Sequence, residues 1–338
     1  MSLERPLRIC MVSPAVRSRR GNRVTASRWR AILRRLGHRV EIVHSDDGRA
    51  VNASGYDLLV ALHARKSFDA IQAFHRRRHG RLLVVTLTGT DLYGDLESSR
   101  EAWKSLEWAD RLIVLQPAGL ERFPDALRDK TAVILQSAVA SSSPVAKSRR
   151  TVDVCVVGHL RPVKDPFRAA EAARLLPEDS KIRVLHAGGA LHPEMERRAL
   201  AETASNPRYR WLGNLPPWKV RRLLKRCHAM VITSHMEGGA NVVSEAIVAG
   251  TAVLSTRISG SLGMLGDDHP AYFDVGDTQA LAALLRRLET DRALRHDLEA
   301  RSRALAPRFH PDREVEAWKA LLDGLSGAGE LDGEEPPA

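Results

Sequence analysis

Glu237 and Glu245 stand eight residues apart, and the chain between them opens on Gly238-Gly239-Ala240-Asn241. An apolar run ending in Ser234-His235 precedes this stretch, and Gly250 with a second apolar run at 252–255 follows it. The pattern predicts strand, glycine turn, helix, glycine stop and strand, which is the parallel βαβ unit. Eight residues is a little over two helical turns, so Glu245 can share a face with the turn that holds Glu237. Gly238 and Gly239 let backbone approach a ligand, and the amides at the helix start favour an anion. A second anion-binding pattern lies upstream, in VCVVGHLRPVKDP: Gly158 directly after an apolar run, with His159, Arg161 and Lys164 before a helix. Glycine and basic residues in that order suit a phosphate group, and they equally allow a solvated helix start. Cations are poorly placed at a helix N-terminus unless an anion is present, which favours the ligand. No Asp-x-Asp pair and no His/Glu cluster has metal-ligand spacing, so no metal is expected, and fixed charge must neutralise any phosphate.

In the first half of the chain, SPAVRSRRGNRVTASRW gathers Arg17, Arg19, Arg20, Arg23 and Arg28 around Gly21, Asn22 and Thr25 where a helix should begin. Hydroxyl, amide, glycine and guanidinium together make an oxyanion site, here the candidate for an acceptor substrate; a solvated basic loop has the same composition. His63 in ALHARKS falls at a predicted strand end, where an active-site histidine and a core or surface histidine are both admissible.

The elements that must position these groups are short apolar runs alternating with helical patterns. Strands are predicted at residues 7–12, 40–43, 56–62, 82–87, 111–115 and 131–135, with helices at 23–36 and 67–79. The stretch 141–150, SSSPVAKSRR, reads as a linker. A second series follows, with strands at 152–157, 181–186, 209–212, 229–233 and 252–255 and helices at 277–288 and 291–305. The expectation is an α/β chain of two Rossmann-like domains, residues 1–143 and 151–305, facing each other across a cleft at the carboxyl ends of their sheets. A last helix at 310–323 is expected to cross back onto the first domain, and the polar tail 326–338 to be disordered. At 338 residues the chain has room for two cores. No apolar stretch is long enough to span a bilayer, and the start is too charged for a signal peptide. Cys10, Cys155 and Cys227 lie in or beside apolar runs and read as buried thiols in a reducing, cytoplasmic compartment. The formal charge of +11 is scattered along helices, and aromatics are too sparse to build a stacking surface, so nucleic acid is not an expected partner.

The 230–260 stretch resembles the donor-binding motif of GT-B retaining glycosyltransferases of family 4, E-x7-E with glycines behind the first Glu. The resemblance covers residues 152–305. It implies that Glu245 clamps the ribose hydroxyls of a UDP-sugar co-substrate and that Glu237 faces the transferred sugar. The amides of Gly238, Gly239, Ala240, Asn241 and Val242 would then meet sugar and phosphate. Lys164 falls on the family's diphosphate-binding Lys; His159 stands where Arg is usual, and Arg161 can supply that charge. HAGGALH is similar to the glycine turn near the nucleobase, which brings in Gly188, and RWLGNLPPWKV is similar to the segment whose backbone reads the base, here Asn214 and Leu215; plain strand-end turns remain open for both. LTGTDLYGD matches the family's H-G-x-D turn with Thr88 in place of His, which makes Thr90 and Asp91 candidate acceptor contacts and His63 a candidate catalytic group.

Taken together, G-N-R-V-T-A-x-R-W, T-G-T-D-L-Y and G-H-L-R-P-V-K-D-P are similar to one branch, the selenosugar synthases of selenoneine biosynthesis. That resemblance implies transfer of glucose or N-acetylglucosamine from the UDP-sugar to selenophosphate. A glycosyltransferase acting on a sugar, lipid or polysaccharide acceptor at a membrane, and a non-catalytic nucleotide-sugar binder, are the alternative readings. Which hexose is carried, whether configuration is retained, and the oligomeric state stay open.

Overall fold

A computed structural model describes residues 5–14, 21–45, 55–77, 80–142 and 144–328. They divide into two compact units, Met1–Gln136 with Pro311–Ala338, and Ser137–His310.

The first unit carries β1 (Arg8–Ser13), α1 (Gly21–Arg35), β2 (Arg39–His44), β3 (Leu58–Leu62), α2 (Phe68–His75), β4 (Leu82–Leu87), α3 (Thr90–Tyr93), α4 (Arg100–Trp108), β5 (Arg111–Val114), α5 (Asp125–Arg128) and β6 (Thr131–Val133). Its strands form one parallel sheet in the order β2-β1-β3-β4-β5-β6. Nearly every residue of β1, β3 and β4 is buried, because helices cover both faces of a parallel sheet. Cys10, Val12, Leu59 and Val85 face one core with Ile71 and Phe74 of α2 and Leu106 of α4. Ile9, Met11, Val60 and Val84 face the other, with Trp29 and Leu33 of α1.

The second unit carries β7 (Val152–Val157), α6 (Arg168–Arg174), β8 (Ile182–Ala187), α7 (Pro193–Ser205), β9 (Tyr209–Trp211), α8 (Pro217–Arg226), β10 (Ala229–Ile232), α9 (Asn241–Val248), β11 (Ala252–Thr256), α10 (Ser259–Leu265), β12 (Tyr272–Phe273), α11 (Thr278–Thr290) and α12 (Arg292–Leu305). Its sheet is also parallel, in the order β12-β11-β10-β7-β8-β9. The two-residue β12 had no counterpart in the sequence reading, since two residues carry no periodicity. Asp277 and Asp291 cap α11 and α12 by accepting the amides of Ala280 and Leu294.

The last helix, α13 (Pro311–Ala328), returns to the first unit and runs five residues past the expected stop at 323. The expected disordered tail therefore loses 326–328 to this helix, and 329–338 lie outside the described residues. Trp318 meets Trp29 edge to face at 4.9 Å between ring centres. Glu314, fully buried, accepts from the Trp29 indole (2.7 Å) and pairs with the Arg28 guanidinium (3.0 Å). Arg28, read in the sequence as part of an anion loop, is thus committed to packing. Removing the carboxylate would leave the buried Trp29 indole N–H without its acceptor and take one counter-charge from Arg28, which costs about 3 kcal/mol. Denaturant unfolding of Glu314→Ala is expected to show a loss of about that size; a change below about 0.5 kcal/mol would contradict the assignment.

Candidate active site

In each sheet one pair of neighbouring strands has its following connections leaving in opposite directions. In the second unit the pair is β7 and β10, since β8 and β9 extend one way and β11 and β12 the other. Ligands of open α/β sheets sit at the carboxyl ends of such a pair, where the diverging connections leave a crevice. The two patterns singled out in the sequence follow these strands, Gly158–Lys164 after β7 and Thr233–Asn241 after β10.

Hydroxyl groups at the strand ends hold the two loops together. Thr233 donates to the carbonyls of Lys164 (2.8 Å) and Asp165 (2.9 Å), and the His235 amide donates to Val163 (2.9 Å). Asp165 takes a left-handed backbone conformation, φ 42°, and its carboxylate accepts from Arg168 (2.7 Å). The turn so fixed brings the Lys164 ammonium against the Glu237 carboxylate, an ion pair that is mostly shielded from solvent. Ser234 donates to the same Glu237 oxygen at 2.6 Å, and its own carbonyl is held by Thr256 (2.8 Å). Gly260 of α10 passes so close that a Cβ there would lie 2.1 Å from the Glu237 carbonyl oxygen. Thr256 and Gly260 were not singled out in the sequence, and Thr233 and Ser234 figured there only as the end of an apolar run. The signal for the hydroxyls was their position closing two apolar strands, ITS and LST.

Helix α9 begins directly after Gly238, Gly239 and Ala240, and Val243, Ser244, Ala246 and Ile247 on one side of it are buried. Asn241, Val242 and Glu245 are half-buried, with Asn241 and Glu245 four residues apart on one face. His159 is also half-buried, and its Nδ1 accepts the Gly189 amide at 3.1 Å. Arg161 has no ion-pair or hydrogen-bond partner for its guanidinium among the described residues, which leaves that charge available. Gly188 has a packing role: a Cβ would lie 1.8 Å from the Gly158 carbonyl oxygen, and its amide is already donated to Gly213 (2.8 Å). Its expected contact with a nucleobase therefore cannot use that amide. Asn214 is exposed beside Gly189, and Leu215 is half-buried.

His186, in the same turn, is fully enclosed. A carbonyl can only accept, so Nε2–H donates to Gly158 (3.1 Å) and Nδ1 accepts from the Tyr209 hydroxyl (3.0 Å). Burial lowers its pKa to about 4.

In the first unit the corresponding strand pair is β1 and β3. Arg17 and Arg20 lie outside the described residues. Gly21, Asn22 and Arg23 form the first turn of α1, which carries no acidic residue, and Arg23 is exposed. Thr25 points inward instead of toward a ligand, donating to Gly21 (3.1 Å) and accepting from Gln136 (2.6 Å). His63 directly follows β3 with φ 76°, a left-handed conformation that costs a branched or bulky residue about 1–2 kcal/mol. Its amide donates to Thr86 (2.8 Å), its Nδ1 accepts the Lys66 amide (3.3 Å), and its Nε2 lies 3.0 Å from the Thr90 hydroxyl. Burial lowers its pKa, against the raising effect of Asp91. Asp91 is fully buried and accepts the amides of Thr88 (2.8 Å), Gly89 (2.9 Å) and Ala64 (3.0 Å). It organises the turn that presents Thr90, which corrects the expectation that Asp91 itself contacts an acceptor. Asp95, unmarked in the sequence, lies 3.7 Å from His63 and 2.9 Å from Arg65.

Among the described residues no group of three or more His, Cys, Asp and Glu side chains could hold a metal ion, and no helix is long and apolar enough to cross a membrane. The three cysteines are buried and free.

Two doubly wound parallel sheets in tandem define the GT-B class of α/β fold. Residues 140–305, which make up nearly all of the second unit, match the family model described as glycosyl transferases group 1. Solved structures of the same fold include HepE from Anabaena in complex with UDP-glucose, 15% identical with a TM-score of 0.72, covering 95% of this chain and 100% of that one. Sucrose-phosphate synthase from Thermosynechococcus elongatus is 16% identical with a TM-score of 0.75, covering 96% and 100%. A glycosyltransferase from Rickettsia africae is 13% identical with a TM-score of 0.71, covering 95% and 99%.

The His186 environment predicts acid sensitivity. Its folded pKa lies below the unfolded value near 6.5, so between about 6.5 and 4 the unfolded chain takes up a proton that the native chain refuses. Stability should fall through that window as pH falls, by about 3 kcal/mol from this residue. Unfolding of His186→Gln between pH 7 and 4.5 should show a correspondingly shallower decline; an unchanged slope would contradict it.

Proposed function

We propose that the protein transfers a hexose, glucose or N-acetylglucosamine, from a UDP-sugar to selenophosphate and forms a carbon–selenium bond. The observation that carries the donor half is the Lys164–Glu237 pair at the β7/β10 crevice, backed by the α9 N-terminus and Glu245. Lys164, with Arg161 near it in sequence, offers the fixed positive charge that a departing diphosphate requires. Glu237, fixed through Ser234 and the Gly260 contact, faces the hexose. Glu245 takes the ribose hydroxyls, and the amides that open α9 take phosphate. HepE, solved with UDP-glucose, supports a UDP-sugar donor on this fold.

The acceptor half rests on the first unit, where Gly21, Asn22 and Arg23 open α1, and His63 holds Thr90 at the end of β3. A small anion is served by guanidinium and helix amides, whereas a sugar acceptor wants a groove of hydroxyl and carboxylate partners. In the reaction a selenium lone pair forms the bond to the anomeric carbon. The bond from that carbon to the diphosphate oxygen breaks, and its electron pair leaves with UDP. Selenophosphate is already an anionic, strongly nucleophilic species, so the step needs no general base. Metal independence belongs to this reading too, since Lys164 and Arg161 supply the charge.

A second reading, a sugar, lipid or polysaccharide acceptor at a membrane, is favoured by α8. It carries Lys219, Arg221, Arg222, Lys225 and Arg226 with no acidic residue, and an exposed Trp218.

The purified protein, given UDP-glucose or UDP-N-acetylglucosamine, should release UDP and yield a selenium-containing hexose by mass only when selenophosphate is also present. UDP binding without a selenium product, together with turnover on liposome-borne acceptors, would overturn the selenophosphate assignment in favour of the second reading.

A further inference from the structure

At the opposite, amino-terminal edge of the first unit's sheet lies a cavity of about 310 Å³, bordered by Arg8, Arg34, His38, Arg39, Glu41 and Tyr56. That volume falls at the lower end of the ~300–1,000 Å³ typical of small-molecule sites. Ile9 and Val40 are buried beneath it and give it an apolar floor. Arg8 and Arg39 are register partners on the adjacent strands β1 and β2, which sets two guanidinium-bearing residues side by side. Like charges directly opposite each other destabilise a sheet unless a counter-charge intervenes. None does: among the described residues Arg8, Arg34 and Arg39 have no carboxylate within ion-pair distance. Arg34 donates to the Val40 carbonyl at 3.1 Å, which fixes its guanidinium at the rim. The one carboxylate present, Glu41, is taken by the Tyr56 hydroxyl at 2.5 Å. Asp57 nearby accepts the Arg8 amide (2.7 Å) and the Arg5 guanidinium (3.2 Å). His38 is held on one side by the Leu7 amide at its Nδ1 (3.2 Å) and is neutral when so held.

Edge strands are commonly protected by exposed charge, and that accounts for Arg39 on β2. It does not account for Arg8, which lies on the interior strand β1, or for the cavity that both arginines border. We propose that this cavity is a second ligand site, at the end of the first unit's sheet opposite the strand ends that carry His63 and the start of α1, for a phosphate-bearing small molecule. Arg8 and Arg39 would grip its phosphate in the bidentate geometry that planar guanidinium favours. Arg34 would add a third charge, and Glu41 with Tyr56 would meet a hydroxyl or amino group on the remainder of the ligand.

The test is calorimetric titration of the full chain with inorganic pyrophosphate at constant ionic strength, with excess UDP present to occupy any nucleotide site. One saturable event is expected. It should weaken at least tenfold in Arg8→Ser and in Arg39→Ser, and stay unchanged in Arg222→Ser, an exposed arginine on α8 that serves as the control for general charge loss. Both arginines are exposed, and unchanged thermal unfolding without ligand verifies that the variants fold. No saturable event, or equal weakening in all three variants, would overturn the proposal.

Discussion

Where β7 and β10 lie side by side, their connections leave in opposite directions, and no crossover closes the gap at their carboxyl ends. The organisation of the second unit's candidate site follows from that constraint. A polar site can be built only where backbone and side chains escape the two covering layers, and the crevice is that place. Thr233 locks the loop after β7 to the end of β10, so Lys164 and Glu237, 73 positions apart in the chain, meet as a pair. Ser234, Thr256 and Gly260 then fix Glu237 from behind. The chemistry proposed for this pair depends on that fixation, because a charge aimed in advance stabilises a leaving diphosphate without reorganising as it departs.

The first unit repeats the topology with different chemistry. Its diverging pair is β1 and β3, and His63, the residue after β3, takes a left-handed conformation. The only other non-glycine residue with positive φ among the described residues is Asp165, beside the crevice of the second unit. Strained backbone at the diverging pair of both sheets is what a functional site would require, since such strain persists only where surrounding contacts over-determine it. In the first unit those contacts come from Asp91, whose buried carboxylate gathers three backbone amides and leaves Thr90 facing His63.

Much of this was legible in the sequence. Apolar runs of four to seven residues, separated by helical patterns, placed both parallel sheets, and Gly238-Gly239 before α9 marked the turn after β10. Period and punctuation carry such information because they reflect burial on both faces of a sheet. What escaped was information that exists only in three dimensions. Asp91 and Thr25 look like ligand-facing polar residues in a string of polar residues; burial turns both toward the backbone. Gly188 looks like a ligand turn, and its absent side chain in fact makes room for the Gly158 carbonyl. Arg28 looked like one of five loop arginines until α13 returned with Glu314. The cross-strand meeting of Arg8 and Arg39 depends on register, which no local pattern specifies.

The proposed donor chemistry requires the β7/β10 crevice with α9 to hold a nucleotide through Glu245, and calorimetric titration of UDP into the native protein and into Glu245→Ala tests that requirement. Glu245 is half-buried and lies off the side of α9 that packs Val243, Ala246 and Ile247. The account predicts saturable binding to the native chain and a loss of at least 100-fold, about 2.7 kcal/mol, in a variant that still unfolds at the native temperature. Equal UDP affinity in the two proteins would contradict it.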